Sequence, residues 1–186
     1  MAHSPRNGGE QKVPGLRGVE HIGITVPDID EATRFFVNVL GCTPYLDSGP
    51  LGSDDDDRMT RLLNVHPRAV ARKMRHLRCG HGSNIELFEY SAPDQNTTWP
   101  KNSDLGGHHL AFYSDDFDAT LDWLRAHGVR LLEGPNFVTK GQNSGCRWIY
   151  FLSPWGLQME LVSFPEGRGY EATAKGRLWN PVAPEA

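Results

Sequence analysis

The feature that most constrains the fold is a repeat between the two halves of the chain. Each half contains a segment of alternating apolar residues followed by apolar residues at helical spacing. His21 and His109 occupy equivalent places in these segments and lie 88 residues apart, and the same offset relates Asp28 to Asp116. A match of this length indicates two copies of one supersecondary unit.

Each half continues with further segments of strand character. These lie at residues 68–77 and 84–90 in the first half and at 145–152 and 157–164 in the second. The sequence therefore predicts an α+β fold of two tandem βαβββ modules that form a curved sheet around a cleft. The modules span about residues 17–92 and 105–164, within one domain at 17–164. Residues 1–16 are predicted to be a flexible tail and residues 165–186 a C-terminal arm.

The first half is longer than the second by about fourteen residues. The extra length is predicted between Gly49 and Arg68, as an exposed acidic loop at residues 54–57 and a short helix at 58–65. Four consecutive aspartates cannot all point inward, and calcium-binding loops space their acidic residues with others between them. The acidic run is therefore predicted to be a solvated loop.

Charge and hydropathy exclude several classes of partner. Nineteen Lys and Arg against 23 Asp and Glu give a net charge of -4, which offers no surface for nucleic-acid phosphates. No stretch approaches the roughly 18 apolar residues of a membrane span, and the first residues lack the apolar core of a secretory signal. A cytoplasmic protein is expected. The three cysteines (Cys42, Cys79 and Cys146) form no CxxC pair and are expected to be small packing residues, with no disulfide framework.

Strand phase places four ionisable side chains on one face of the predicted structure. Alternate residues of a strand share a face, and the apolar residues, such as Ile22 and Ile24 in the first strand, mark the side that packs in the core. The opposite side then carries two histidines and two glutamates, one of each from either half: His21, Glu86, His109 and Glu160.

This combination of side chains predicts a divalent metal site. Carboxylates in a cleft are costly unless a positive charge compensates them, and imidazole nitrogen with carboxylate oxygen suits first-row ions. One ion per site is expected, and four protein ligands leave coordination positions on it free for substrate. The ligand set does not distinguish between Ni, Co, Zn, Mn and Fe. In strand phase, His108 shares the core face with Leu110. The other five histidines have no counterpart in the repeat and are predicted to be surface or packing residues: His3, His66, His76, His81 and His127.

Four motifs accompany the duplicated βαβββ plan: HIGITVPD (21–28), NIEL (84–87), GGHHLA (106–111) and YFLSPWGLQMELV (150–162). Together they resemble the motifs of the vicinal oxygen chelate superfamily, which includes glyoxalase I, methylmalonyl-CoA epimerase, fosfomycin-resistance proteins, bleomycin-binding proteins and extradiol dioxygenases. The resemblance covers roughly residues 17–164. The resemblance implies the same four metal ligands, one from the first and one from the last strand of each module.

The resemblance also implies an enzyme that chelates vicinal oxygens of a small carbonyl or carboxylate substrate and stabilises an enolate. Glu86 favours the glyoxalase I and epimerase members, so we expect an isomerase, epimerase or lyase with Glu160 as first candidate for the base and Glu86 as second. An extradiol-type dioxygenase remains an alternative. Another is a non-catalytic drug-sequestering protein that holds an aromatic ligand between aromatic side chains (Phe88, Tyr113, Trp148 and Trp155). A homodimer is expected, since a concave open sheet with an arm favours association.

Overall fold

The computed structural model describes residues 13–184 and contains two βαβββ modules. The predicted tail at residues 1–16 therefore lies for the most part outside the described residues. The elements of the first module are β1 (His21–Thr25), α1 (Ile29–Asn38), β2 (Thr43–Ser48), α2 (Arg58–Leu63), β3 (Val70–Arg78) and β4 (Asn84–Ser91). Those of the second are β5 (Leu110–Tyr113), α3 (Phe117–Ala126), β6 (Arg130–Leu131), β7 (Asn136–Phe137), β8 (Arg147–Leu152) and β9 (Gln158–Ser163).

Each module forms its own sheet with the same strand order. The first sheet has the order β1-β4-β3-β2 and the second β5-β9-β8-β6, with the short β7 also paired to β8. In both, the first strand runs parallel to the last, and the other pairs are antiparallel. The two repeats predicted from the sequence are thus equivalent in topology, and the α+β fold is confirmed.

Equivalent aspartates begin the two long helices. The Asp28 side chain accepts a hydrogen bond from the backbone N–H of Glu31 at 2.7 Å, and Asp116 accepts one from Ala119 at 3.0 Å. Each satisfies a backbone donor that the first helical turn leaves free. The second long helix begins after Asp116, the residue that the repeat aligns with Asp28.

A continuous apolar core joins the two modules. It contains buried residues of both helices and of both sheets, and Trp155 of the second module packs against the rings of Phe35 and Phe36 in the first. The Trp123 indole N–H of α3 donates to the carbonyl of Val39 at the end of α1. The helices therefore face the shared core, which leaves the opposite face of each sheet open.

Two of the three cysteines do not behave as the sequence suggested. Cys42 and Cys79 form a disulfide, with their Cα atoms 4.4 Å apart. They lie just before β2 and just after β3, where the antiparallel register pairs the neighbouring residues Thr43 and Arg78. Cys146 is the buried packing residue that was expected. The expectation that no disulfide forms was wrong, because the β2–β3 register brings together two residues that are 37 positions apart.

The acidic loop and the C-terminal arm both make specific contacts. The Asp57 carboxylate accepts from Arg61 at 2.7 Å, and Asp56 accepts from the Ser53 hydroxyl, so these side chains lie at the surface with partners of their own. The arm contains a short 3₁₀ helix (Gly169–Ala172), and the Tyr170 hydroxyl accepts from the backbone N–H of Leu178. Within residues 13–184, no helix is long and apolar enough to cross a membrane.

Candidate metal and active site

The open face of each sheet carries one histidine and one glutamate in contact. His21 Nε2 lies 3.2 Å from Glu86 Oε2, and His109 Nε2 lies 3.1 Å from Glu160 Oε2. Parallel pairing explains the contacts: β1 lies beside β4 with Gly23 opposite Glu86, and β5 lies beside β9 with Ala111 opposite Glu160. In both sheets the histidine comes two positions before the residue that faces the glutamate.

Burial follows strand phase closely but not completely. Ile24, Ile85, Leu87, Met159 and Leu161 are buried as predicted. Ile22, predicted to be in the core, is instead 38% exposed, since it lies near the start of an edge strand and lines a cavity between the modules.

We call the contacting pairs the first half-site (His21 and Glu86) and the second half-site (His109 and Glu160). The glutamate side chains are mostly buried, at 13% and 16% exposed, whereas the histidines are 42% and 34% exposed. The carboxylates therefore lie toward the floor of each open face and the imidazole rings nearer to solvent. Both histidines present Nε2 to the carboxylate.

The spacing of these atoms fits ligands of one metal ion. Two donors bound at about 2.1 Å and at right angles are separated by about 3.0 Å, close to both N···O distances. Imidazole nitrogen with carboxylate oxygen is a donor set for borderline first-row ions. Each half-site therefore has the chemistry and the spacing of two adjacent ligands.

The structure does not bring the four predicted ligands together within one chain. Among residues 13–184, no group of three or more His, Cys, Asp or Glu side chains is arranged to hold a metal ion. The chain instead presents two separate, equivalent half-sites on two sheets. Strand phase could find each pair, but it contains no information about the distance between them.

Further polar side chains surround the first half-site. His21 Nδ1 contacts Glu20 Oε2 at 2.5 Å, and the other oxygen of Glu20 accepts from the Asn84 side chain at 2.7 Å. His76 Nε2 lies 3.5 Å from Glu86 Oε1, because His76 is directly opposite Glu86 in the β3–β4 pairing.

His76, predicted to be a surface or packing residue, lies partly exposed on the open face, where it contacts Glu86 of the first half-site. Its neighbour Leu77 is buried, so the alternation of β3 assigns His76 to the open face, as the structure shows. The equivalent position of the second sheet is Tyr150, opposite Glu160 and between the buried residues Ile149 and Phe151. The same phase argument, extended to these two strands, could have found both side chains.

Burial and hydrogen bonding perturb the titration of several groups in the half-sites. Burial raises the pKa of Glu160 above that of a free glutamate, and the nearby His109 opposes the shift. The hydrogen bond that the His21 ring donates to the Glu20 carboxylate raises the pKa of His21. Burial, followed by the Glu160 charge, raises the pKa of Tyr150. A buried carboxylate with a raised pKa is the kind of group that enzymes use as a base near neutral pH.

The aromatic residues considered as a ligand platform lie in different environments. Trp155 belongs to the core between the modules, and Tyr113 packs edge-on against Phe164. Phe88 stacks on Tyr90 with ring centroids 5.4 Å apart, and Trp148 packs against Tyr150 on the second sheet. These residues therefore do not form one aromatic cage within the chain.

A family model described as the glyoxalase/bleomycin resistance protein/dioxygenase superfamily matches residues 20–150. The chain belongs to this superfamily. Its relatives include a 2-epi-5-epi-valiolone epimerase of an Actinomyces species, 45% identical over 170 residues that cover 91% of this chain and 91% of the relative. The match over both modules confirms the predicted family and supports an enzyme of the glyoxalase-like superfamily.

Solved structures show that the fold is that of the superfamily. A glyoxalase family protein from Bacillus cereus matches with a TM-score of 0.59 and 17% identity, over 82% of this chain and 98% of that one. An antibiotic-binding protein from a Streptomyces species matches with a TM-score of 0.53 and 18% identity, over 80% and 97%. At these identities the similarity establishes the fold alone.

Proposed function

We propose that this protein is a divalent-metal-dependent epimerase that acts on a ketone of the valiolone type, at a carbon next to the carbonyl group. The 45% identity to a 2-epi-5-epi-valiolone epimerase supports the reaction type and the substrate class. The observation that carries the metal site is the equivalence of the two half-sites, with N···O distances of 3.2 and 3.1 Å.

We further propose that two copies of the chain complete the site. Each chain presents both half-sites on open faces, and its described residues do not bring the two together. In a twofold dimer, the first half-site of one copy would face the second half-site of the other, which gives two equivalent sites. Each site would then contain His21 and Glu86 from one chain and His109 and Glu160 from its partner.

The side chains of such a site suit the chemistry of epimerisation. A divalent ion supplies Lewis acidity, which lowers the cost of removing a proton next to a carbonyl by several kcal/mol. Glu160 is the candidate that would accept this proton from carbon once its carboxylate leaves the ion, because burial raises the pKa of that carboxylate when no cation is bound. Glu86, from the opposite half-site, is the candidate that returns a proton to the other face. Solvent then restores the protonation of both carboxylates.

Complementation between two inactive variants tests the shared site. One variant carries His21→Ala with Glu86→Ala, and the other carries His109→Ala with Glu160→Ala. Neither binds metal alone, whereas a mixed dimer contains one site built from two intact half-sites. After dissociation and random reassociation of equal amounts, half of the dimers are mixed, so metal content recovers to about a quarter of the wild-type value. A site within one chain gives no recovery.

The reaction itself is tested with a valiolone-type ketone in deuterated water. Epimerisation through proton transfer incorporates deuterium at the inverted carbon, and the Glu160→Gln variant loses this exchange. Two results contradict the proposal: oxygen uptake with a catechol, which indicates a dioxygenase, and tight binding of an aromatic drug by protein that binds no metal, which indicates sequestration.

A further inference from the structure

In the first half-site, a carboxylate held by a neighbouring amide contacts the histidine ring, and among the described residues the second half-site has no equivalent carboxylate. The Glu20 carboxylate contacts His21 Nδ1 through Oε2 at 2.5 Å and Asn84 Nδ2 through Oε1 at 2.7 Å. The backbone carbonyl of Glu20 also accepts from the Asn84 backbone N–H at 3.0 Å. Since Asn84 begins β4 and lies opposite His21 in the parallel pairing, these contacts fix Glu20 beside the imidazole ring.

We infer that Glu20, held by Asn84, is a positioning residue that sets the tautomer and orientation of His21 for metal binding. This inference rests on the proposed metal-dependent function. A carboxylate next to Nδ1 favours the tautomer with the proton on Nδ1, so the Nε2 lone pair is free. Nε2 is also the atom that contacts Glu86 at 3.2 Å. Carboxylate–histidine contacts of this kind orient metal-binding histidines and raise their basicity.

The second half-site supplies an internal comparison. His109 Nδ1 lies 3.3 Å from the side-chain amide of Asn102, and among the described residues no carboxylate contacts that nitrogen. An uncharged amide holds a ring less firmly than a carboxylate does, because charge-assisted hydrogen bonds are about twice as strong as neutral ones. The first half-site is therefore the more firmly organised ligand pair.

A first experiment reads the His21 tautomer in metal-free protein. Long-range proton–nitrogen NMR spectra at about pH 9, where imidazole is neutral, distinguish a ring protonated at Nδ1 from one protonated at Nε2. The wild-type protein shows His21 protonated at Nδ1. Glu20→Ala shifts the ring toward the Nε2 form, and Glu20→Gln, which retains an acceptor oxygen, restores the wild-type pattern in large part. An unchanged pattern in Glu20→Ala overturns the inference.

A second experiment measures the affinity for Co²⁺ by competition with a chelator. Glu20→Ala weakens binding by about 10- to 100-fold, as expected for loss of an outer contact to a metal-binding histidine. Glu20→Gln has a smaller effect, and Asn84→Ala adds little when Glu20 is already alanine. Glu133→Ala, which removes an exposed glutamate elsewhere, leaves the affinity unchanged. Circular dichroism of each variant verifies that it is folded.

The outcomes separate this inference from the proposed function. A wild-type protein that binds no Co²⁺ overturns both. Wild-type binding that requires His21 and Glu86 but is unchanged in Glu20→Ala overturns the role of Glu20 alone. A similar loss in Glu20→Ala and Glu133→Ala also overturns it, since the effect then reflects surface charge and not a contact with His21.

Discussion

The disulfide between Cys42 and Cys79 predicts a large dependence of stability on redox conditions. It joins the start of β2 to the end of β3 and encloses the acidic loop, α2 and the strand that carries His76. With a sequence separation of 37, restriction of the unfolded chain contributes about 4 kcal/mol to the free energy of unfolding. Reduction removes this contribution without altering the rest of the sequence.

Urea unfolding of the metal-free protein measures the effect. For a slope of about 2 kcal/mol per molar urea, a loss of about 4 kcal/mol lowers the midpoint by about 2 M. The double variant Cys42→Ser with Cys79→Ser unfolds near the midpoint of the reduced wild-type protein and does not respond to reductant. Cys146 is retained in both proteins, so its buried thiol contributes equally. Equal midpoints for oxidised and reduced wild-type protein would refute the reasoning.

Three further predictions follow from the helix caps, the buried base and the approach to His109. Asp28→Ala and Asp116→Ala each lower the free energy of unfolding in urea by about 1 kcal/mol and are additive, whereas strong coupling contradicts independent caps. Because burial raises the Glu160 pKa, the metal-free wild type loses stability as pH rises through that pKa, whereas Glu160→Gln has no such carboxyl group to ionise. The melting temperature of Glu160→Gln minus that of the wild type therefore increases with pH. A difference that stays constant with pH contradicts this. Gly107→Ala weakens Co²⁺ binding, since a Cβ there meets the carbonyl oxygen of Lys101 and displaces the backbone that leads to His109. The control Gly176→Ala, where a Cβ meets nothing within 4 Å, leaves the Co²⁺ affinity unchanged. Equal affinities of the two variants contradict this.

Much of the candidate site could be predicted because strand phase is a local property. Ile85 and Leu87 are buried on either side of Glu86, and Met159 and Leu161 on either side of Glu160, so each glutamate must lie on the open face. The repeat then relates the two half-sites. No knowledge of the packing between modules is needed for either step, which is why the sequence alone places each histidine and its glutamate on the same face of a sheet.

The remaining features depend on relations that the apolar pattern does not contain. The Cys42–Cys79 bond follows from the register of β2 on β3, and the turn chemistry does not predict that register over so long a connection. Glu20 precedes β1, so phase says nothing about its contact with His21. The separation of the half-sites depends on how the two modules pack against each other, which is set by contacts such as Trp155 with Phe35.

Charge balance favours one ion for each pair of half-sites over one ion for each half-site. A half-site contains one carboxylate and one imidazole, so a divalent ion bound there alone carries an excess positive charge into a partly buried position. Two half-sites supply two carboxylates, which neutralise one divalent ion. In the proposed dimer, the shared cation would also replace the hydration that Glu86 and Glu160 lose through their low exposure. Association of two chains and metal binding should therefore be coupled, with one ion per chain at saturation and a dimer that weakens when the ion is removed.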